Sequence, residues 1–178
     1  MEYRDIIKIE RNKYFPTKKK YIKSMLLDND DYHIWKFQYR LRKTELYKKK
    51  KNKSILYSLL YVISKRRKEK LARKIGFNIP EGCFEEGLRI YHIGAIAVNP
   101  AARIGKNCII VGNVCIGNVE GLNVAPKIGD NCMLGWGTTI IGDIHISNNC
   151  KVAAGAVVVK DVNVENDVVG GVPAKSLK

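Results

Sequence analysis

The sequence has 178 residues, which suffices for one domain of ordinary size with a smaller appendage. Its net charge of +15 lies entirely in the first segment, because residues 1–75 contain 24 Lys and Arg against 8 Asp and Glu, whereas residues 76–178 contain 8 against 9. The longest apolar stretch, at 55–63, is far shorter than the roughly 20 residues that cross a bilayer, so we expect no membrane span.

The first 76 residues predict a basic, helical N-terminal region. Residues 2–14 are expected to form a short helix that ends before Pro16, because proline cannot continue a helix. Residues 17–27 have a mixed pattern that predicts no definite element.

Two longer helices are predicted to follow. The side-chain oxygens of residues 28–30 are acceptors that can start a helix, which we expect to run from 32 to about 50. Ser54 is a candidate N-cap for the next helix, and Gly76 is a natural C-terminal stop. The apolar positions of the two helices are Ile34, Phe37, Leu41 and Leu46, then Ile55, Leu59, Val62 and Ile63.

Lysine and arginine cluster at 48–51 and 65–68 in these helices. One interpretation is a solvated helix face with no partner. The other is attraction to anionic lipid headgroups or to a phosphorylated substrate carrier. No nucleic-acid-binding motif accompanies the charge, so we expect no nucleic-acid partner.

Residues 98–169 repeat every six residues. Position 1 of the hexad is a large aliphatic residue: Val98, Ile104, Ile110, Ile116, Ile128, Leu134, Ile140, Ile146, Val152, Val158 and Val164. Position 5 is smaller or β-branched: Ala102, Cys108, Val114, Cys132, Thr138, Ile144, Cys150, Ala156, Val162 and Val168. Position 4 is Asn, Gly or Asp: Asn107, Asn113, Asn131, Gly137, Asp143, Asn149, Gly155, Asp161 and Asp167.

This pattern predicts a mainly β fold, a parallel β-helix of hexapeptide repeats. Gly, Asn and Asp tolerate the left-handed backbone region, so each position 4 marks a corner. The four residues between corners are extended, and side chains at positions 5 and 1 then share the inward face. A corner every six residues excludes an α-helix.

The hexads define a β-helix at 77–169 and a tail at 170–178 that we expect to turn away. The stretch 77–91 is predicted to hold a first strand and then an irregular part. His92 is in phase with position 1 and would point inward if the first coil were fully formed. The period breaks at 117–127, where Glu120 would otherwise be buried, so these residues are predicted to leave the β-helix as a loop.

Five cysteines are an odd number, and no secretory signal is recognisable at the start of the sequence. Cys108, Cys132 and Cys150 occupy position 5, where a small inward residue is required. We therefore interpret them as small apolar core residues in a reducing, cytoplasmic compartment, with no metal site.

The stretch 76–178 resembles the hexapeptide-repeat acyltransferases, in particular serine acetyltransferases and the O-acetyltransferases of surface polysaccharides. The resemblance rests on Gly87–Gly94, on 125–131 and on 170–175. It implies a left-handed β-helix shaped as a triangular prism, although parallel crossovers are otherwise right-handed. It also implies a homotrimer that binds acetyl-CoA, without a metal, in the cleft between neighbouring prisms.

The resemblance further implies the residues of the active site. His92 matches the general base, which takes the proton from the attacking hydroxyl, a task for which an imidazole is suited. The pantetheine arm of acetyl-CoA is expected along Gly135, Trp136, Gly137, Ala153, Ala154 and Gly155. Lys160 and Lys175 are expected near its phosphates.

Several positions differ from the serine acetyltransferase pattern. Phe77 replaces the aspartate that orients the base, and Glu81, Glu85 or Glu86 are candidates to replace it. The other departures are Tyr91 for an acidic residue, Val111-Gly112 where many members of the polysaccharide group have a histidine, Val124 and Ala125 for an Arg-His pair, and Trp136 for a small residue.

These departures favour O-acetyl transfer from acetyl-CoA to a sugar hydroxyl in capsule or lipopolysaccharide assembly. The acceptor would be a small-molecule or lipid-linked sugar, and the enzyme cytoplasmic or peripheral at the inner membrane face. One alternative is a serine O-acetyltransferase of cysteine biosynthesis. Another is a non-catalytic β-helix that presents the basic helices to a membrane or an acidic partner.

Overall fold

A computed structural model describes residues 2–120 and 124–178. The chain forms two compact units, Met1–Gly76 and Phe77–Lys178. The first unit is helical, and the second is built from short strands.

The helical unit contains four α-helices and one 3₁₀ turn. Their bounds are α1 Tyr3–Tyr14, α2 Lys18–Leu26, α3 Asp30–Lys50, the 3₁₀ turn Lys51–Lys53, and α4 Ile55–Ile75. The predicted starts are confirmed, because the side chains of Asn29 and Ser54 accept hydrogen bonds from the first turns of α3 and α4. Gly76 ends α4 in the left-handed conformation. Helix α2 lies in the stretch for which the sequence predicted no element.

Helix α3 forms the core of the helical unit. Ile34, Phe37 and Leu41 are buried, as the apolar stripe predicted. The sequence pattern missed a buried ion pair between α1 and α3. Glu10 and Arg42 are 0% and 4% exposed, and Arg42 donates to Glu10 from Nη2 at 2.7 Å and from Nε at 3.1 Å.

Helix α4 buries a different face from the one that its apolar residues suggest. The buried positions are Ser64, Lys68, Leu71, Ala72 and Ile75. The apolar residues of its first half are exposed: Ile55, Leu56, Leu59, Val62 and Ile63. Among the described residues, the model has no helix with the length and apolar character that crossing a bilayer requires.

The second unit is a three-sided parallel β-helix. Its fourteen strands within the described residues are β1 Phe77–Asn78, β2 Arg89–Ile90, β3 Ile96–Val98, β4 Arg103–Ile104, β5 Ile109–Ile110, β6 Cys115–Gly117, β7 Lys127–Ile128, β8 Met133–Leu134, β9 Thr139–Ile141, β10 His145–Ile146, β11 Lys151–Val152, β12 Val157–Val158, β13 Val168–Gly171 and β14 Ala174–Ser176. The first sheet has the order β1-β3-β6-β9-β12, the second β4-β7-β10, and the third β2-β5-β8-β11-β13-β14. From β3 to β12, successive strands lie in the first, second and third sheets in turn, so the chain turns an edge after each of them.

The hexad pattern is confirmed for most of this unit. All position 1 side chains from Val98 to Val158 are at most 4% exposed. Left-handed corners occur at six of the predicted position 4 residues: Asn107, Asn113, Asn131, Gly137, Asn149 and Gly155. The prediction is wrong in the last coil, because Val164 is 66% exposed and Val169 pairs with Val152 instead. One residue fewer in this coil moves the corner from Asp167 to Asn166.

The irregular parts of the β-helix lie where the register changes. The first coil is longer than 18 residues, since Arg89 pairs with Ile109. The predicted loop 117–127 adds six residues to one coil, because Ile109 pairs with Met133. Residues 121–123 of that loop lie outside the described residues. The tail does not turn away as predicted, because β14 folds back antiparallel on β13.

The buried thiols of the β-helix predict a loss of stability in alkali. Burial raises the pKa of the Cys132 thiol to about 11, whereas an unfolded cysteine ionises near 8.5. Between these values the unfolded state binds fewer protons than the native state, so the free energy of unfolding should fall as pH rises, by roughly 1–3 kcal/mol. Urea unfolding at pH 8 and pH 10.5 measures this fall. It should shrink in Cys132→Ala but persist in Cys115→Ala, whose thiol is exposed; an equal fall in all three proteins would contradict the prediction.

Candidate active site

Most of the predicted site residues lie on one edge of the β-helix, where the third sheet meets the first. We call it the His92 edge; it comprises residues 91–95, 111–113, 135–137 and 153–155. The backbone stacks four coils there. The His92 amide donates to the Val111 carbonyl at 3.1 Å, Gly137 donates to Gly112 at 3.0 Å, and Gly155 donates to Trp136 at 2.8 Å.

The imidazole of His92 is exposed on this edge; the inward direction was expected only for a fully formed first coil, and this coil is irregular. The turn between Ile90 and Ile96 has more residues than a regular corner, so the hexad phase does not hold across it. Asn113 holds this turn by accepting a hydrogen bond from the Ala95 amide at 2.8 Å. The first coil therefore presents His92 to solvent rather than to the core.

An aromatic side chain packs against His92. The centroids of the His92 and Trp136 rings are 5.7 Å apart with an interplanar angle of 67°, an edge-to-face contact. The centroid of the Tyr91 ring is 6.5 Å from that of the imidazole. Among residues 2–120 and 124–178, no side chain hydrogen-bonds to the imidazole. The indole is therefore the main side-chain contact that limits the orientation of His92.

The indole of Trp136 occupies space that only glycine leaves free at position 112. A Cβ at Gly112 would lie 2.4 Å from a ring carbon of Trp136. Two separate departures from the family pattern lie here, Val111-Gly112 in place of a histidine and Trp136 in place of a small residue. In the structure Gly112 and Trp136 form one complementary pair.

The carboxylates proposed to orient His92 lie on other edges. Glu86 forms an ion pair with Lys106, whose Nζ is 3.2 Å from its Oε1, at the edge between the second and third sheets. A backbone hydrogen bond and the Lys106 ammonium lower the pKa of the Glu86 carboxyl. Glu85 is at the same edge, and Glu81 follows β1 at the edge between the first and second sheets. Within one β-helix, therefore, none of these three carboxylates lies on the His92 edge.

Glycine occurs for different structural reasons at the three positions predicted to line the cofactor. A Cβ at Gly135 would lie 2.6 Å from the Ala154 amide nitrogen, so the next coil requires this glycine. Gly137 and Gly155 are left-handed corners; a Cβ at Gly137 would lie 3.8 Å from the Gly155 amide nitrogen, whereas the space beside Gly155 is open. Ala154 and Gly155 are exposed, and together with half-exposed Ala153 they form a flat ledge below Trp136.

The two predicted phosphate-binding lysines are in different places. Lys175 is exposed and pairs with Gly170 of β13. Because β13 stacks on β11, Lys175 lies one coil beyond the ledge. Lys160 is also exposed, but it follows β12 at the far side of the first sheet from the His92 edge. The structure brings Lys175 near the end of the ledge and leaves Lys160 on another edge.

The positions that matched the serine-binding pair are apolar here. Val124 is partly exposed, and Ala125 is buried next to the second sheet. Phe77, at the position of the orienting aspartate, is buried in β1. Among the described residues, no group of three or more His, Cys, Asp or Glu is arranged to hold a metal ion.

The packing of Trp136 on Gly112 predicts the effect of a single methyl group. Gly112→Ala should push the indole into solvent, shift its fluorescence emission to longer wavelength and lower the free energy of unfolding by about 1 kcal/mol. Steady-state fluorescence and urea unfolding measure both effects. In a Trp136→Phe background, where Trp35 is the remaining tryptophan, the same substitution should leave the emission unchanged. An unshifted spectrum in Gly112→Ala would refute the contact.

No protein-family model matches this sequence, and no curated protein matches it significantly. Solved structures do match. The serine acetyltransferase of Neisseria gonorrhoeae is 25% identical, with a TM-score of 0.68 over 99% of this chain and 65% of its own. The soybean serine acetyltransferase apoenzyme is 24% identical, with a TM-score of 0.70 over 96% and 65%. The Brucella abortus serine acetyltransferase, solved with coenzyme A, is 21% identical, with a TM-score of 0.73 over 99% and 68%.

These similarities define the fold as that of the hexapeptide-repeat serine acetyltransferases, a helical segment followed by a left-handed β-helix. The chain spans 65% of the length of the Neisseria and soybean proteins. The comparisons support the hexapeptide-repeat part of the sequence resemblance. They give no specific support to the surface-polysaccharide group.

Proposed function

We propose that this protein is an acetyl-CoA-dependent O-acetyltransferase with His92 as its general base. The observation that carries the proposal is an exposed imidazole on the same edge as the ledge 153–155, in a fold shared with serine acetyltransferases. The Brucella relative was solved with coenzyme A, which supports acetyl-CoA as the acetyl donor.

The residues of the His92 edge fit such a donor. The flat ledge of Ala153, Ala154 and Gly155 has no side chain that would obstruct a pantetheine arm. Lys175, beyond the end of the ledge, would attract the phosphates. Trp136 projects above the ledge and would contact the arm along one side. Lys160 would reach the same donor only from a neighbouring subunit.

His92 would act on the acceptor. Its free imidazole nitrogen takes the proton from the acceptor hydroxyl as that oxygen bonds to the thioester carbonyl carbon. The carbon–sulfur bond then breaks, and the departing thiolate of CoA receives the proton back from the imidazolium. Backbone N–H groups near the edge would stabilise the charge that develops on the carbonyl oxygen.

The comparisons favour L-serine as the acceptor over the sugar that the sequence predicted. The neighbours described above are serine acetyltransferases, and the Neisseria enzyme was also solved with serine, at 26% identity. A sugar hydroxyl stays the second candidate for a specific reason. Val124 and Ala125 provide no charged group for an amino acid, whereas exposed Tyr91 and Trp136 beside His92 provide ring faces suited to a sugar.

We also propose a cytoplasmic homotrimer, as the family resemblance implies. In such a trimer the His92 edge of one β-helix would face its neighbour, and the donor would lie between them. Analytical ultracentrifugation with and without coenzyme A would measure the number of subunits.

An acetyl-transfer assay tests the proposed function. Purified protein is incubated with acetyl-CoA and, separately, with L-serine, nucleotide sugars and lipid-linked sugars, and the acetylated products are identified by mass spectrometry. We expect the thioester of acetyl-CoA to be consumed in the presence of one acceptor class. The rate should be unchanged in His145→Ala, a control that alters another exposed histidine. Absence of turnover with every acceptor, together with no binding of coenzyme A in calorimetry, would favour the non-catalytic β-helix instead.

A further inference from the structure

The first half of α4 carries an exposed apolar stripe. No described residue of the helical unit covers it. Ile55 is 89% exposed, Leu56 62% and Leu59 55%, and Val62 and Ile63 continue the stripe about one turn after Leu59. Their spacing of i, i+1, i+4, i+7 and i+8 places them along one side of the helix. An isolated exposed leucine is common on proteins, but five aliphatic side chains within nine residues form a continuous patch.

A basic tract adjoins this stripe. The residues at 48–53 include Lys48, Lys49, Lys50, Lys51 and Lys53, which lead from the end of α3 into α4. Contacts join the tract to the helix, because Lys50 Nζ lies 5.6 Å from the Tyr57 ring and Lys51 Nζ lies 5.8 Å from the Tyr61 ring. Ser58 also donates a hydrogen bond to the Lys51 carbonyl at 2.7 Å. These contacts hold Lys50 and Lys51 on the tyrosine side of α4, and the tract meets the apolar stripe at the start of the helix, where Lys53 lies two residues before Ile55.

We propose that the first half of α4, together with the lysine tract 48–53, docks on an anionic phospholipid surface. Exposed aliphatic side chains on one side of a helix, with a lysine tract at its start, are a combination that places a helix in the plane of a lipid–water interface. The aliphatic groups enter the acyl boundary, and the ammonium groups remain at the level of the phosphates. This partner is independent of the proposed acetyl transfer.

Charge distinguishes this partner from a second copy of the chain. Residues 1–75 carry 24 Lys and Arg against 8 Asp and Glu. Two copies that met through this stripe would bring together two units of net charge +16, which would repel each other. An anionic bilayer presents the opposite charge and an apolar interior at once, and so satisfies both parts of the surface.

Vesicle co-sedimentation of the full chain tests the proposal. We expect binding to vesicles of equal parts phosphatidylglycerol and phosphatidylcholine, little binding to pure phosphatidylcholine, and weaker binding at high salt. Lys51→Gln/Lys53→Gln should reduce the partition coefficient about fivefold for each lysine removed. Leu56→Gln/Leu59→Gln should reduce it at least tenfold, since glutamine preserves helix propensity but removes the apolar groups.

The matched control is Leu26→Gln/Leu27→Gln, which changes two exposed leucines at the end of α2. It should bind like the unaltered protein, and circular dichroism should show that all variants are folded. Binding that depends on the lysines but not on Leu56 and Leu59 would overturn the proposal in favour of a general polyanion site. Concentration-dependent self-association that Leu56→Gln/Leu59→Gln abolishes, without vesicle binding, would overturn it in favour of a second copy. Acetyl transfer in solution should be unaffected by these variants, so a failure here is distinguishable from failure of the proposed activity.

Discussion

Replacement of His92 by alanine is expected to lower kcat for acetyl transfer by ~10²–10⁴-fold, the contribution typical of a positioned general base. The KM for acetyl-CoA should change little, because the ledge 153–155 and Lys175 are untouched. The loss in kcat is expected because the exposed imidazole of His92 is the side chain proposed to accept the hydroxyl proton on this edge. Steady-state kinetics at saturating acceptor measure the two constants separately.

His145→Ala is the matched control for this prediction. His145 is also exposed, but it lies in β10 on the second sheet, away from the His92 edge. Its replacement should leave kcat within experimental error. Full activity in His92→Ala would remove the proposed base, and equal losses in both variants would indicate a general effect on folding.

Removal of the Glu10 carboxylate is expected to destabilise the helical unit by about 3–5 kcal/mol. In Glu10→Ala the guanidinium of Arg42, 4% exposed, would lose its buried partner, while its bond to Glu45 at 3.0 Å would remain. Contact with the two carboxylates raises the pKa of Arg42, so this side chain remains charged and cannot relieve the cost by losing a proton. Urea unfolding monitored by Trp35, buried next to Tyr14, reports the change.

Two further variants separate the ion pair from simple packing. Glu45→Ala, which removes the more exposed partner of Arg42, should cost at most about 1 kcal/mol. Glu10→Leu/Arg42→Met should recover most of the stability, because it removes both charges together and fills the space with apolar groups. A loss in this double variant as large as in Glu10→Ala would show that the ion pair is not the cause.

The regular part of the fold could be predicted because its rules are local. Each corner needs a residue that tolerates positive φ, and each strand needs one large and one small inward residue, so six residues are enough to recognise a coil. Ile110 and Cys108 illustrate this, since both are fully buried as predicted. The helix ends at Asn29, Ser54 and Gly76 follow from equally local chemistry.

The parts that could not be predicted depend on contacts between distant residues. The buried pair of Glu10 and Arg42 joins residues 32 positions apart, and charged residues give no periodic signal of burial. The apolar stripe of α4 could be recognised in the sequence, but the sequence does not say whether the rest of the chain covers it, and in the structure it is exposed. At the site, the packing of Trp136 on Gly112 was hidden because each residue looked like a separate departure from the family pattern.

A crystal structure of the chain with coenzyme A tests the central claim most directly. We expect the pantetheine arm to lie along Gly137 and the ledge 153–155, with its sulfur facing the imidazole of His92 and its phosphates toward Lys175. Coenzyme A bound on another edge, with His92 out of reach of its sulfur, would contradict the account.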